Sequence, residues 1–288
     1  MERETLNKYK KAQSIADSVI LSIRPTIKEG VKLIDIGDTV ENKIRNLGGG
    51  IAFPVNLSIN DNAAHYAPDI NDDTILKEND MIKIDVGVHV DGYICDQAFT
   101  VCIGKKSHPL IEAAEKGLKE AKKIIKPGVR IFEISEVVES TLKELGCNPI
   151  RNLCGHGLDR YEPHAKFSIP NGRNDIKTEL ESGQALAMEV FATDGVGWVR
   201  DSGHVLIYAY NQETTMRMNE ARKILDLARN EYNGLPFAKR WLINTEIPLY
   251  KVNLALNQLV MSKALKEHPI LKEESGGIVA QAEETIIL

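Results

Sequence analysis

Residues 81–101 read "MIKIDVGVHVDGYICDQAFTV". The apolar residues Ile82, Ile84, Val86, Val88 and Val90 alternate, which is the period of a half-buried strand. Asp91-Gly92 is the dipeptide favoured in two-residue type I′ turns, so the segment is predicted to be a β-hairpin. With that turn, Val90 faces Tyr93, Val88 faces Cys95 and Gly87 faces Asp96. Residues directly opposite share a face, as do residues two apart on one strand. Asp85 and Asp96 therefore become diagonal neighbours, roughly 7–8 Å apart at the backbone, with Gly87 leaving room between them. Met81 and Ala98 lie on the same face and mark it as interior rather than solvated. Two carboxylates this close do not both ionise unless a cation neutralises them. The hairpin is expected to hold a divalent metal.

A metal site needs more ligands. "NLCGHGLDRYEPH" offers His156, expected in a loop after Gly155, and His164 after Pro163. "SGQALAMEVFATDG" is a nearly apolar strand with one acid, Glu189, which is rarely left unpaired inside. "GGIVAQAEETIIL" is another, carrying Glu283 and Glu284 on opposite faces; Glu283 shares its face with Gln281 and Val279. Two Asp, one His and two Glu make a hard, oxygen-rich site suited to Mn, Fe, Co, Ni or Zn, and unsuited to copper(I) or iron–sulfur clusters. Four carboxylates balance two divalent ions, so the sum favours a two-metal site of the kind that activates water.

The chain has 288 residues, 43% hydrophobic and 27% charged, with net charge −5 and a pI of about 5.9. That is an ordinary globular balance, and the acidic excess argues against nucleic acid as a partner. The N-terminus has no apolar signal region, and no apolar run approaches a membrane span. Four cysteines without C-x-x-C spacing read as reduced, buried thiols of a cytoplasmic protein. Residues 30–48, "GVKLIDIGDTVENKIRNLG", match 128–146, "GVRIFEISEVVESTLKELG", without a gap and at seven of nineteen positions. Each copy starts Gly-Val, continues as an amphipathic helix and stops on Gly. Helices at 5–24 and 109–125 precede them, so a pseudo-twofold pair of half-domains is expected, each of two helices followed by strands, with the site in the cleft between halves.

With these residues in place, "AFPVNLSINDNAAHYAPD", "IDVGVHVDGYICD", "GHGLDRYEPH", "MEVFATDG" and "AQAEETIIL" resemble, in order and spacing, the type 2 methionine aminopeptidases. The resemblance covers nearly the whole chain and implies the α/β (α+β) pita-bread fold, whose halves are pseudo-symmetric. It implies that Asp85 binds one metal, Asp96 and Glu283 bridge two, and His156 and Glu189 complete the second. It also implies that His65 and His164 contact the substrate amide, that Phe53 walls the methionine pocket, and that Glu189 shuttles a proton. A metal-bridging hydroxide would then remove the initiator methionine from nascent polypeptides, at the ribosome, by hydrolysis of the first peptide bond. The protein is expected to be a cytoplasmic monomer.

Glu189 and Glu283 are 94 residues apart. The amphipathic stretches at 215–234 and 251–268 between them match the helical insert of the type 2 enzymes. The expected division is a catalytic domain of 1–209 with 271–288, and an insert of 210–270. The chain lacks the long charged N-terminal extension of the eukaryotic enzymes and resembles the short archaeal form. Three features depart from the family. Glu284 stands where His usually follows the last glutamate, His268-Pro269 stands where a pocket Tyr-Pro is common, and the chain stops at Leu288. A proline-specific peptidase of the same fold is less favoured, because Asp85 falls too early for the N-terminal domain those enzymes carry. A metal-free homologue that binds RNA or protein is less favoured, because all five ligands are present and the chain is acidic.

Overall fold

The computed structural model describes residues 1–245 and 247–288. The duplication is visible in the hydrogen bonds. Helix α1 (Arg3–Ile23) leads to α2 (Leu33–Asn46), and α3 (Pro109–Ile124) leads to α4 (Ile131–Glu144). In the first copy the N–H of Gly30 donates to Leu76 and that of Leu33 to Thr74; in the second Gly128 donates to Leu180 and Ile131 to Thr178. Both copies stop at a glycine in the left-handed region, Gly48 at φ 78° and Gly146 at φ 74°. A side chain there would be strained, so the repeated glycines set where each helix ends.

Strands β1 (Gly50–Ile59), β2 (Asn62–Ala64), β3 (Met81–Val90) and β4 (Tyr93–Cys102) follow the first helix pair. After the second come β5 (Asn148–Pro149), β6 (Cys154–Asp159), β7 (Glu162–Pro170) and β8 (Ala185–Thr193). All of these except β2 join β12 (Val279–Ile287) in one sheet, in the order β1-β3-β4-β12-β8-β6-β7, with β5 on the edge of β8. Helices α1 and α2 bury Ile15, Val19, Leu33 and Val40 against Ile82, Ile84, Val86 and Val88. Helices α3 and α4 bury Leu118, Ile134 and Val138 against Leu186, Met188 and Val190. Each half thus has its own apolar core behind the sheet. The even-numbered residues of β3 spend themselves on that core, which sends Asp85 and Gly87 to the opposite, cleft-facing side.

Between β8 and β12 lies a second sheet. Strands β9 (Val199–Tyr210), β10 (Phe237–Ala238) and β11 (Leu265–Glu273) join β2 in the order β10-β9-β11-β2. Helices α5 (Asn219–Asp226) and α6 (Leu249–Met261) pack on it around Ile224, Phe237, Leu242, Val252, Leu256 and Leu259. The helix expected over 251–268 ends earlier. Lys263 adopts φ 59°, and residues from 265 onward form β11, paired with β9. The apolar spacing of 264–271 suits both periods, and pairing with β9 decides for the strand. Among the described residues, no helix is long and apolar enough to cross a membrane.

Candidate metal centre

The hairpin has the predicted register. Gly87 pairs with Asp96 and Asp85 with Ala98, and Asp91 and Gly92 take φ of 51° and 87° as a type I′ turn requires. The neighbouring strands extend the two rows. Ala98 faces Glu283 on β12, and Glu283 faces Glu189 on β8. Thr285 lies beside Asp96, its hydroxyl accepting from the Asp96 N–H at 2.7 Å and donating to its carbonyl at 2.9 Å. Ala187 links Thr285 to His156 on β6. Five side chains from five strands therefore rise from adjacent positions on one face. His156 sits on a strand and not, as expected, in a loop. Gly155 serves close packing, since a Cβ there would lie 2.7 Å from the Ala187 carbonyl oxygen.

Asp96, His156 and Glu283 are buried, and each offers a ligand atom within 4.8 Å of the others. His156 Nε2 is 3.7 Å from Asp96 Oδ2. Its Nδ1 lies 3.4 Å from the Gly157 carbonyl, so Nδ1 carries the hydrogen and Nε2 is left as a lone-pair donor. Burial, then neighbouring His164, pulls His156 down to about 3, so it stays neutral at working pH. The carboxylates shift the other way. Burial lifts Asp85 to about 7 and Asp96, Glu189 and Glu283 well above the usual range, and for these three the charges of the neighbouring acids add to the rise. Gln281 Nε2 donates to Glu283 Oε2 at 2.9 Å and also hydrogen-bonds Asp85. One oxygen of Asp85 and one of Asp96 are sealed from solvent without any hydrogen-bond partner. Leaving buried carboxylates uncompensated costs several kcal/mol each. The orphaned oxygens, the raised acids and the imidazole lone pair fit hard divalent cations.

A cavity of about 190 Å³ opens over this floor. It gathers every residue singled out from the sequence: Phe53, His65, Asp85, Asp96, His156, His164, Glu189, His268 and Glu283. The room at Gly87 is taken by the ring of Phe53, which a Cβ would strike at 2.3 Å. His65 takes φ 66°, a strained conformation for a non-glycine residue. Its Nδ1 is 3.1 Å from the Pro269 carbonyl, and its ring meets His268 edge-on with centroids 5.6 Å apart. His164 is exposed at the rim, its ring centroid 4.3 Å from that of His156. Glu284 points away to the helix side, paired with Lys122 of α3. Sequence reasoning missed Asn56, which β1 sets opposite Asp85, and the lining residues Cys154, Ile207, Pro236 and Leu271. Their strand pairings leave no local signal. All four cysteines are free, and Cys154 is the half-buried one.

A row of buried and half-buried carboxylates with one neutral imidazole, on the inner face of a sheet backed by duplicated helix pairs, defines a metallohydrolase centre. The chain belongs to metallopeptidase family M24, whose model matches residues 7–220, and within it to the type 2 methionine aminopeptidases. A methionine aminopeptidase of Thermococcus onnurineus is 46% identical over 288 residues, covering 100% of this chain and 96% of the relative. One of Methanocaldococcus jannaschii is 41% identical over 288 residues, covering 100% and 97%. The solved structure of a thermophilic Arx1 superposes with TM-score 0.86 at 19% identity, covering 100% of this chain and 88% of that one. The methionine aminopeptidase of Thermotoga maritima gives TM-score 0.71 at 21% identity, covering 100% and 94%. At those identities the likeness is one of fold, and the fold is the pita-bread one.

Proposed function

We propose that the protein removes the N-terminal methionine from nascent polypeptides by metal-dependent hydrolysis of the first peptide bond. The observation that carries this is the register of β3, β4, β12, β8 and β6, which gathers five ligand-type side chains under one cavity. In this reading Asp85, Asp96, His156, Glu189 and Glu283 would hold two divalent ions, drawn from Co, Mn, Fe, Zn or Ni, and Asp96 and Glu283 would serve both. Such ions supply Lewis acidity and the means of making a nucleophile from water near neutral pH.

The chain's own groups do the rest. Phe53, Ile207 and His268 wall the space for the methionine side chain. His65 gives its Nδ1 hydrogen to the Pro269 carbonyl, and burial lowers its pKa, so its Nε2 is an acceptor. That suits the N–H of the scissile amide and not a developing oxyanion. His164, at the rim, serves the amide from the other side. Glu189 lines the cavity beside the other acids and is the group placed to pass a proton to the leaving amine. The same reading has the protein working as a cytoplasmic monomer, near the ribosome, with residues 210–270 as a unit that walls the cleft. Turnover of Met-Ala-Ser against Ala-Pro peptides tests it. Release of free methionine is expected, and preference for the Ala-Pro peptide would overturn it.

A further inference from the structure

The duplicated helices carry one buried glutamate each, at the same place in the repeat: Glu41 on α2 and Glu139 on α4. Each takes an arginine from outside its own helix pair. Glu139 pairs with Arg151 at 2.6 Å and accepts the Arg173 N–H at 2.6 Å, tying together the segments that flank β6 and β7. Glu41 reaches instead into the insert. Its Oε1 lies 2.5 Å from Arg240 Nη2, and its Oε2 accepts the Trp241 indole N–H at 2.8 Å. Arg240 is only 6% exposed and has Asp38 as a second neighbour at 3.8 Å. The first helix copy is shaped for this guest. Gly37 stands where the second copy has Ser135, and a Cβ at 37 would press on Arg240 Nη2 at 3.3 Å and on Pro68 at 3.5 Å.

The segment so held, 236–241, meets the cleft at Pro236 and the loop that carries His65 at Lys239. Pro236 lines the cavity. Phe237 and Ala238 pair with Tyr208 and Ile207 of β9, and Ile207 pairs with His268 of β11. Lys239 forms an ion pair at 2.9 Å with Asp69, in the loop that carries His65 and Pro68. We propose that Glu41 is a positioning residue for the peptidase cleft: through Arg240 and Trp241 it seats segment 236–241, and so holds the wall of Pro236, Ile207 and His268 opposite the carboxylate floor. Glu41 touches no ligand of the metals and does not face the cavity. Its loss should loosen the wall and leave the floor intact.

This rests on the aminopeptidase reading only for its kinetic test, so a second readout is independent of turnover. The variants are Glu41→Gln and the double variant Glu41→Gln/Arg240→Met, which leaves no unpaired buried charge if the single change fails to fold. In the metal-loaded protein, amide exchange over 236–241 is expected to speed up while β3 and β4 stay protected and metal content is unchanged. KM for Met-Ala-Ser should rise roughly 10- to 100-fold with kcat little altered. Unchanged exchange over 236–241 overturns the clamp. Faster exchange with an unchanged KM makes the contact a mere tether and overturns the positioning role. Failure of both variants to fold does the same, by making the pair a requirement of the fold. Absence of turnover in the wild-type protein would instead count against the aminopeptidase reading.

Discussion

At the scale of single residues, the ligand set and the substrate histidines answer to different tests. On the proposed ligand set, removing Asp96 or Glu283 would take away a ligand shared by both ions and leave the remaining acids repelling one another. Asp96→Ala and Glu283→Ala should each abolish turnover and lower metal content by elemental analysis; full occupancy would count against the bridging assignment. His65 is held by Pro269 and by its own strained backbone, and no metal is assigned to it. His65→Ala should keep its metals and its melting temperature while kcat falls by roughly 10²–10⁴. A loss of metal would show that the ligand set is wrong. The acids were legible in the sequence because a carboxylate in an apolar strand is conspicuous. Asn56 and Pro236 were not, because neither is unusual in its local setting and only tertiary pairing brings them to the cavity.

Among the elements, the β3–β4 hairpin was readable down to its register, because Asp91-Gly92 fixes the turn and the alternation fixes the faces. The pairing of β12 with both β4 and β8 was not, since those partners lie far away in the chain. His156 was expected in a loop because glycines flank it, but the glycines serve close strand packing at β6. The end of the second insert helix was misjudged for the reason given above, a pattern that suits both helix and strand. The insert itself offers a clean cut. The Asn211 N–H donates to the Ala264 carbonyl at 2.9 Å, so the two ends stand side by side. Replacing 212–263 by a short turn should leave β9, β11 and the metal floor in place. Metal content should hold while kcat/KM for Met-Ala-Ser falls more than roughly tenfold. Unchanged turnover would show that the insert does not wall the cleft.

For the molecule as a whole, the duplication and the helix pairs were plain in the sequence, because glycine stops and amphipathic spacing are local features. The site lies where the two halves of the sheet meet, and there the metals and the fold should be linked. Once the protein is stripped by chelator, the four acids carry raised pKa values in the folded state. A raised carboxylate holds its proton longer than in the unfolded chain, so its contribution to stability is complete below about pH 4 and drains away as pH rises through the folded value. Below pH 6.5 the neutral histidines oppose this: His156 and His268, each lowered to about 3, resist the charge that the unfolded chain takes up. Above pH 6.5 that opposition ends. Lys83, which burial lowers to about 7, takes up the opposition from there upward in stripped and loaded protein alike. The gap in melting temperature between loaded and stripped protein should therefore widen as pH rises from 5 to 7, because the ions neutralise acids that the stripped fold can only keep protonated. A gap that does not change with pH would mean that the acids are not confined together.

The most direct test of the central claim, that this row of acids and imidazole is a dinuclear peptidase centre, is methionine release from Met-Ala-Ser as Mn²⁺ or Co²⁺ is titrated back into chelated protein. No release is expected before metal is added, with full rate reached near the second equivalent per chain and none regained by Asp96→Ala. Undiminished release in the presence of chelator would contradict it.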